Sequence, residues 1–308
     1  MFKKGIWTYS QISELIEPKY HISLGEGGTG INEISFEDQK VCLKREDKNP
    51  NQSFKDRSLV FQIAFYLQQG KKRFVISSSG NAAISALSCC QKYNLELDIF
   101  VSNKIEDYKL KKITDIIDIK FVHKSKRPKS DAMKFSRKTG AVNLRGSKDE
   151  KAVIGFQTIA FELIKQMPNA DAVFICCSSG TSTVGIWQGY QVYNFEGIYP
   201  QIHIVQTSKI HPIAKEFDTD FKITKSSLAG AVCDRVAHRK LQVLEIIRES
   251  NGSGWVVSDQ ELIIVKKNLS AKGIEIEGYN AYVSFAGLQK ALKNGFQFDN
   301  PVCIISGI

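Results

Sequence analysis

Short apolar runs recur along this chain, followed by polar turns and by stretches with helical periodicity. The runs are residues 73–76, 97–101, 172–177, 201–206 and 302–305. The helical stretches are residues 81–92, 152–165, 185–193, 239–248, 259–272 and 281–293. Strands that alternate with helices in this way are typical of parallel sheets covered by helices. The alternation therefore predicts the α/β fold class.

The composition sets the class of protein and its compartment. The chain has 308 residues, of which 43% are hydrophobic and 24% are charged, as in ordinary soluble globular proteins. There is no apolar run of about eighteen residues and no signal-peptide pattern at the start, so we expect a cytoplasmic protein without a membrane partner. The seven cysteines lie in apolar runs without the spacing of a zinc site. We expect them to be reduced, and we expect no metal.

The basic charge does not predict nucleic-acid binding. The formal net charge is +10, but the basic residues are spread along the chain and no aromatic residues are interleaved with them in a binding motif. A solvated basic face explains this pattern, and attraction of a small anionic substrate is a second explanation. The polar, basic segment 124–138 contains Pro128 and is expected to be a connection between domains or a surface excursion.

Lys55 stands at a position where a lysine could act as a nucleophile. An apolar strand-like run at residues 41–43 leads into Asn49-Pro50 and a loop, and Lys55 then precedes the apolar-periodic segment 59–67. A lysine amine is nucleophilic only when it is deprotonated, and partial burial or a nearby cation lowers its pKa enough to allow this. On this segment alone, a solvated lysine in the first turn of a helix is the simpler explanation.

Two serine-rich turns each follow a predicted strand and open a predicted helix. They span residues 77–81 and 178–182. Such turns combine unpaired backbone N–H groups with the positive end of a helix dipole, and in open α/β sheets they lie where ligands bind. Two anion sites suggest a ligand with two anionic groups, or a cofactor phosphate and a substrate carboxylate. The alternative is that serine and asparagine serve only as helix N-caps.

Taken in order, these segments resemble the threonine synthase branch of the fold-type II (tryptophan synthase beta-like) pyridoxal phosphate enzymes. The five matches are Gly25-Glu26-Gly27-Gly28-Thr29; Lys44-Arg45-Glu46-Asp47-Lys48-Asn49-Pro50 together with Ser53-Phe54-Lys55-Asp56-Arg57; Ser78-Ser79-Gly80-Asn81; residues 178–185; and Ser306-Gly307. Residues 155–162 and 185–190 are also similar to the threonine synthase pattern. Five ordered matches over nearly the whole chain are far more specific than any one motif.

The resemblance implies two α/β domains, each with a mainly parallel sheet, and a pyridoxal 5'-phosphate cofactor in the cleft between them. It implies a large domain of residues 1–57 and 144–308 and a small mobile domain of residues 58–143. A homodimer is what relatives suggest.

The resemblance also implies roles for individual residues. Lys55 would form the Schiff base with the cofactor and act as the catalytic base. The other residues expected to bind the cofactor are Phe54 beside Lys55, Asn81 at the phenolic oxygen, Ser178, Ser179, Gly180, Thr181 and Ser182 around the phosphate, and Ser306 at the pyridine nitrogen. The residues expected to bind the substrate are Ser78, Ser79, Gly80, Thr29, Arg145 and Lys148.

The implied activity is that of a carbon–oxygen lyase of amino-acid metabolism. It would eliminate phosphate from O-phosphohomoserine, or from a related phosphorylated amino acid, with addition of water. Two alternatives stay open: a serine/threonine dehydratase or β-replacement (cysteine synthase-like) enzyme, and a diverged non-catalytic protein that binds a ligand or a partner. Departures from the pattern motivate them. Gly180 is the one glycine between Cys177 and Ser182, Gln52 replaces a glycine, and the chain stops soon after Ser306.

Overall fold

The computed structural model describes residues 5–37, 39–193 and 199–307, and its elements are numbered here in chain order. The strands are β1 Ile31–Phe36, β2 Gln39–Lys44, β3 Arg73–Ser77, β4 Glu96–Ser102, β5 Val122–Ser125, β6 Val142–Asn143, β7 Ala172–Cys176, β8 Gln201–Thr207, β9 Gly254–Val257 and β10 Pro301–Ile304. The α-helices are α1 Ser10–Ser13, α2 Lys55–Gln68, α3 Asn81–Lys92, α4 Asp107–Thr114, α5 Pro128–Thr139, α6 Lys151–Gln166, α7 Thr181–Val192, α8 Lys240–Glu249, α9 Asp259–Ser270 and α10 Val283–Lys293. The prediction of the α/β class is confirmed.

The chain divides into two compact units, each with its own sheet. The four-stranded unit comprises Met1–Gly27 and Asn49–Gly155, and the six-stranded unit comprises Gly28–Lys48 and Phe156–Ile308. Residues 1–27, 49–57 and 144–155 were included in the predicted large domain, but in this division they belong to the four-stranded unit. The functional domain bounds stay a prediction.

The six-stranded unit is built on the sheet order β1-β2-β10-β7-β8-β9. Its strands run parallel except for β1, which pairs antiparallel with β2 at one edge. Parallel strands are buried on both faces and read as apolar runs, which is why the runs at 172–177 and 302–305 are visible in the sequence. The core includes Phe174, Val205 and Trp255 together with apolar side chains of α9 and α10.

The four-stranded unit has a wholly parallel sheet in the order β5-β4-β3-β6. Strand β6 comes last in the chain but pairs with β3, the first, through Phe74 with Val142 and Val75 with Asn143. Because parallel strands end at the same edge, the segments that follow β3 and β6 are neighbours. This adjacency positions the candidate substrate residues described below.

The sequence prediction of a connection or surface excursion at residues 124–138 is wrong, because most of this segment forms α5. Pro128 is the first residue of α5, where a fixed φ and a missing N–H are tolerated, and Gly140 ends the helix with φ 74°. Ala132 is buried and Phe135 packs against the core of the four-stranded sheet. Because few of the residues in this basic segment are apolar, the sequence shows no clear helical periodicity there.

Among the described residues, no helix is long and apolar enough to cross a membrane.

Candidate active site

Lys55 is the first residue of α2 and follows the loop of residues 49–54. Its backbone N–H donates to Ser53 Oγ at 3.3 Å, and its Nζ lies 4.9 Å from the centre of the Phe54 ring. The side chain is half-buried, while Asp56 next to it is fully buried. Gln52 has φ 54°, in the left-handed region that glycine occupies without strain. The backbone conformation at Gln52 is therefore one that favours glycine, the residue that the family pattern has at this position.

The first serine-rich turn connects β3 to α3. Ser78 and Ser79 are half-buried, Gly80 is the N-cap residue of α3, and Asn81 is its first helical residue. The Gly80 N–H donates to Ser78 Oγ at 3.3 Å, and the Gly80 carbonyl accepts from the Ala83 N–H at 2.8 Å. The predicted turn and helix start are confirmed. A helix N-terminus such as that of α3 presents backbone N–H groups of the kind to which anions can bind.

Arg145 lies at the same edge of the sheet as this turn. The Leu144 N–H donates to the Val75 carbonyl at 2.9 Å, which continues the β3–β6 ladder by one residue. The Arg145 N–H then donates back to the Asn143 carbonyl at 2.8 Å, so the chain turns directly after β6, at the edge where the adjacent strand β3 also ends. Lys148 is exposed in the following turn, and its N–H donates to the Arg145 carbonyl at 3.0 Å. The structure thus brings Arg145 and the Ser78–Gly80 turn to one edge.

Asp149 anchors the turn that carries Arg145 and Lys148, and sequence reasoning missed it. Its Oδ2 accepts from Gln62 Nε2 at 2.6 Å and from the Tyr66 hydroxyl at 2.9 Å, both on α2. Its Oδ1 accepts from the Lys151 N–H at 2.9 Å at the start of α6. Burial and then the nearby carboxylate raise the pKa of Tyr66 to about 12. An aspartate three residues before the helix predicted to start at residue 152 was the available signal.

The second serine-rich turn, residues 178–182, connects β7 to α7 in the six-stranded unit. Ser178 Oγ accepts from the N–H groups of Cys233 at 3.1 Å and Asp234 at 3.2 Å. Ser179 Oγ and Thr181 Oγ1 are 2.9 Å apart. Ser182, in the first turn of α7, is buried. The turn is therefore held by its own hydroxyl groups and by the segment at residues 233–234.

Gly180 carries the backbone conformation that this turn requires. It is the N-cap residue of α7 with φ 93°, whereas Thr181 is already helical. A methyl group on Gly180 would lie 2.6 Å from Val243 Cγ2 and 3.1 Å from Arg239 Cβ. The turn thus has a glycine at the position where φ is positive. Thr181 has a helical backbone conformation, so glycine is not required there.

Ser306 follows β10, the strand that pairs with β7. The register pairs Cys303 with Phe174, so extending both strands brings Ser306 level with Cys177, just before the second turn. Ser306 is 6% exposed. Within the six-stranded unit, the structure therefore brings Ser306 and the predicted phosphate turn to one sheet edge.

Thr29 belongs to a buried polar network. Its hydroxyl donates to Glu46 Oε1 at 2.6 Å, and its carbonyl accepts from Lys44 Nζ at 2.5 Å. Lys44 also forms an ion pair of 2.6 Å with Glu162, and Gln166 Nε2 donates to the Thr29 carbonyl at 3.0 Å. The hydroxyl that was expected to bind substrate is thus engaged within the unit. Its role in substrate binding stays a prediction.

The second turn fits a phosphate group. Helix α7 has its positive end at the turn, and the turn presents the hydroxyls of Ser179 and Thr181. Thr183, also in the first turn of α7, is fully buried and its Oγ1 has no hydrogen-bond partner within the described residues. Helix N-termini with hydroxyl side chains bind phosphates. No group of three potential metal ligands occurs in the part of the chain that the structure describes.

Proteins of known name or structure are similar to this chain over nearly its whole length. A threonine synthase of Methanocaldococcus jannaschii is 26% identical over 326 residues, with 98% of this chain and 80% of the relative covered. The solved structure of maize serine racemase superposes with a TM-score of 0.76 at 16% identity, covering 99% of this chain and 94% of the other. A threonine deaminase isoform from Solanum lycopersicum superposes with a TM-score of 0.75 at 18% identity, covering 100% and 91%.

The structural likenesses, at under about a fifth of residues identical, identify the fold alone. Residues 22–307 match the family described as "Pyridoxal-phosphate dependent enzyme". Because this match spans nearly the whole sequence, and the threonine synthase likeness spans the same range, this chain belongs to the fold-type II branch of the pyridoxal-phosphate dependent enzymes, with pyridoxal 5'-phosphate as its cofactor.

Proposed function

We propose that this enzyme is a carbon–oxygen lyase that converts O-phosphohomoserine, or a closely related phosphorylated amino acid, with water into a hydroxy amino acid and phosphate. One observation carries the proposal: the Ser78–Gly80 turn and Arg145 lie at the ends of adjacent strands. A helix N-terminus suits a carboxylate, and a guanidinium suits a phosphate. A substrate with both groups would use both features.

Lys55 would hold the cofactor covalently through Nζ. With its amine free, Lys55 would take the proton from the substrate Cα and act as general base. Bound pyridoxal phosphate supplies an electron sink for the negative charge at that carbon. Over the whole reaction, the Cγ–O bond breaks and phosphate leaves with its electron pair, Cβ loses a proton and gains the hydroxyl of water, and Cγ gains a proton. The proton taken from Cα returns to it and the second proton of water goes to the phosphate, so that atoms and charge balance.

The remaining residues would orient these groups. Residues 178–182 would bind the cofactor phosphate through backbone N–H groups and hydroxyls, Asn81 would donate to the phenolic oxygen, and Ser306 would face the pyridine nitrogen. A neutral hydroxyl at that nitrogen leaves it unprotonated, which favours elimination over transamination. Ser78, Ser79 and Gly80 would bind the substrate carboxylate, and Arg145 with Lys148 its phosphate.

The second candidate is a dehydratase or β-replacement enzyme that acts on serine, threonine or an activated serine. The solved structures of a serine racemase and a threonine deaminase share the fold, and the first serine-rich turn would serve any amino-acid carboxylate. What favours the first candidate is an arginine at the same sheet edge as that turn, since neither serine nor threonine has a second anionic group.

The experiment compares Arg145→Gln with wild type on both kinds of substrate. Removing a hydrogen bond to a charged group costs about 1.5–3 kcal/mol, so kcat/KM for O-phosphohomoserine should fall about 10- to 100-fold. The matched control is Arg137→Gln, because Arg137 is an exposed arginine on α5 of the same unit. This control should leave kcat/KM unchanged. Turnover of serine or threonine to a keto acid, without phosphate release from O-phosphohomoserine, would overturn the proposal in favour of the second candidate.

A further inference from the structure

The residue after Lys55 is part of a hydrogen-bonded bridge to the helix that begins at Asn81. Asp56 is fully buried, and its two carboxylate oxygens accept from Asn51, one from the backbone N–H and one from Nδ2, each at 2.8 Å. Asn51 Oδ1 in turn accepts from Ser88 Oγ on α3 at 2.7 Å. All of these residues belong to the four-stranded unit.

The loop before Lys55 needs such support because its own conformation is costly. Gln52 has positive φ without being glycine, a conformation that costs about as much as one hydrogen bond contributes. Phe54, the N-cap residue of α2, makes no side-chain cap. The paired bonds from Asn51 to Asp56 close the loop onto the first turn of α2, which fixes where the Lys55 backbone begins.

The hydrogen bond from Ser88 to Asn51 also fixes the position of α3 along its axis relative to this loop. Apolar side chains between packed helices allow small sliding movements, whereas a hydrogen bond is directional and short. Ser88 is two helical turns after Asn81, roughly 10 Å along the axis of α3. A shift of α3 at Ser88 would therefore move Asn81 relative to Lys55.

We propose that Asn51 is a positioning residue that couples the Lys55 segment to α3 through Asp56 and Ser88, and so sets the separation between Lys55 and Asn81. The inference rests on the cofactor-binding part of the proposed function, in which Lys55 and Asn81 hold adjacent groups of the cofactor ring. It does not depend on which substrate is used. No sequence motif signals this bridge, because Asn51 and Ser88 are far apart in the chain.

The test measures cofactor binding by Ser88→Ala, with Ser85→Ala and Ser88→Thr as matched variants. Ser85 lies on the same helix, is fully buried, and its hydroxyl has no partner within the described residues. The dissociation constant of added pyridoxal phosphate and the wavelength of its lysine-bound absorption band are measured for each variant, together with urea unfolding. Losing one hydrogen bond between neutral groups should raise the dissociation constant of Ser88→Ala about fivefold and shift its band.

Ser85→Ala should have the wild-type dissociation constant and band. Ser88→Thr, which keeps a hydroxyl, should also show the wild-type band. The inference is overturned if Ser88→Ala changes the urea midpoint while its band and dissociation constant stay at wild-type values, since the bridge would then be structural only. It is also overturned if Ser85→Ala and Ser88→Ala behave alike. A wild type that binds the cofactor but does not turn over O-phosphohomoserine would contradict the proposed substrate and leave this inference intact.

Discussion

Gly180→Ala is predicted to disrupt the phosphate turn at a cost that the structure allows us to work out. The backbone at φ 93° is one that an alanine adopts only with strain, which costs about 1–2 kcal/mol. The added methyl would also lie 2.6 Å from Val243 Cγ2, an overlap that costs about 1–3 kcal/mol as neighbours shift. Together these lower the free energy of unfolding by about 2–5 kcal/mol.

The two contributions can be separated by a double-mutant cycle with Val243→Ala. Val243→Ala removes both γ-methyl groups, which relieves the overlap but not the backbone strain, so the double variant should be more stable than additivity predicts by about 1–3 kcal/mol. Urea unfolding and the pyridoxal phosphate dissociation constant are measured for each variant. Because the methyl displaces the turn itself, Gly180→Ala should also weaken cofactor binding.

Gly230→Ala is the matched control, since a methyl there would have no neighbour within 4 Å and its φ is not positive. It should change the free energy of unfolding by less than about 0.5 kcal/mol. The reasoning is refuted if Gly180→Ala is as stable as Gly230→Ala, or if the effects of Gly180→Ala and Val243→Ala add without coupling.

Two further predictions concern titratable groups. Burial lowers the pKa of His203 to about 3, and its Nδ1 accepts from Trp255 Nε1 at 3.2 Å. This pKa lies below the unfolded value of 6.5, so acidification favours the unfolded state, which takes up the proton more readily. The free energy of unfolding should therefore be at its full value above pH 6.5 and fall by about 2 kcal/mol on acidification to about pH 5. His203→Asn keeps an acceptor but should lack this slope in urea unfolding, and equal slopes would contradict the prediction. Asp149→Asn should lower the pKa of Tyr66 from about 12 yet leave it above 10.0, because burial is its larger cause; an unchanged ultraviolet titration would exclude the carboxylate's contribution.

Much of the fold could be predicted because local sequence patterns indicate many of its strands and helices. The runs at 73–76 and 97–101 became β3 and β4 with one or two residues added, and Asn81–Lys92 was predicted at its observed bounds. Ser258, the N-cap residue of α9, forms a capping box with Glu261, which is also a local sequence pattern. The helix predicted at 185–193 begins earlier, at Thr181, because the polar first turn lacks apolar periodicity.

What could not be predicted depends on pairings distant in sequence. Strand β6 pairs with β3 although two strands lie between them in the sequence, and that order brings Arg145 to the same sheet edge as the first serine-rich turn. The bonds of Asp149 to α2 and of Ser88 to Asn51 likewise join residues that no local pattern relates. The resemblance supplied the expected site residues, but the contacts that hold those residues in position became visible only in three dimensions.

The most direct test of the account is the visible absorption spectrum of the purified protein with added pyridoxal phosphate, for wild type and Lys55→Ala. We expect a lysine-bound band in wild type that is absent in Lys55→Ala and shifts on addition of O-phosphohomoserine but not of serine. A band of equal strength in Lys55→Ala would contradict the assignment of Lys55. No band in wild type would contradict cofactor binding itself and favour the non-catalytic alternative.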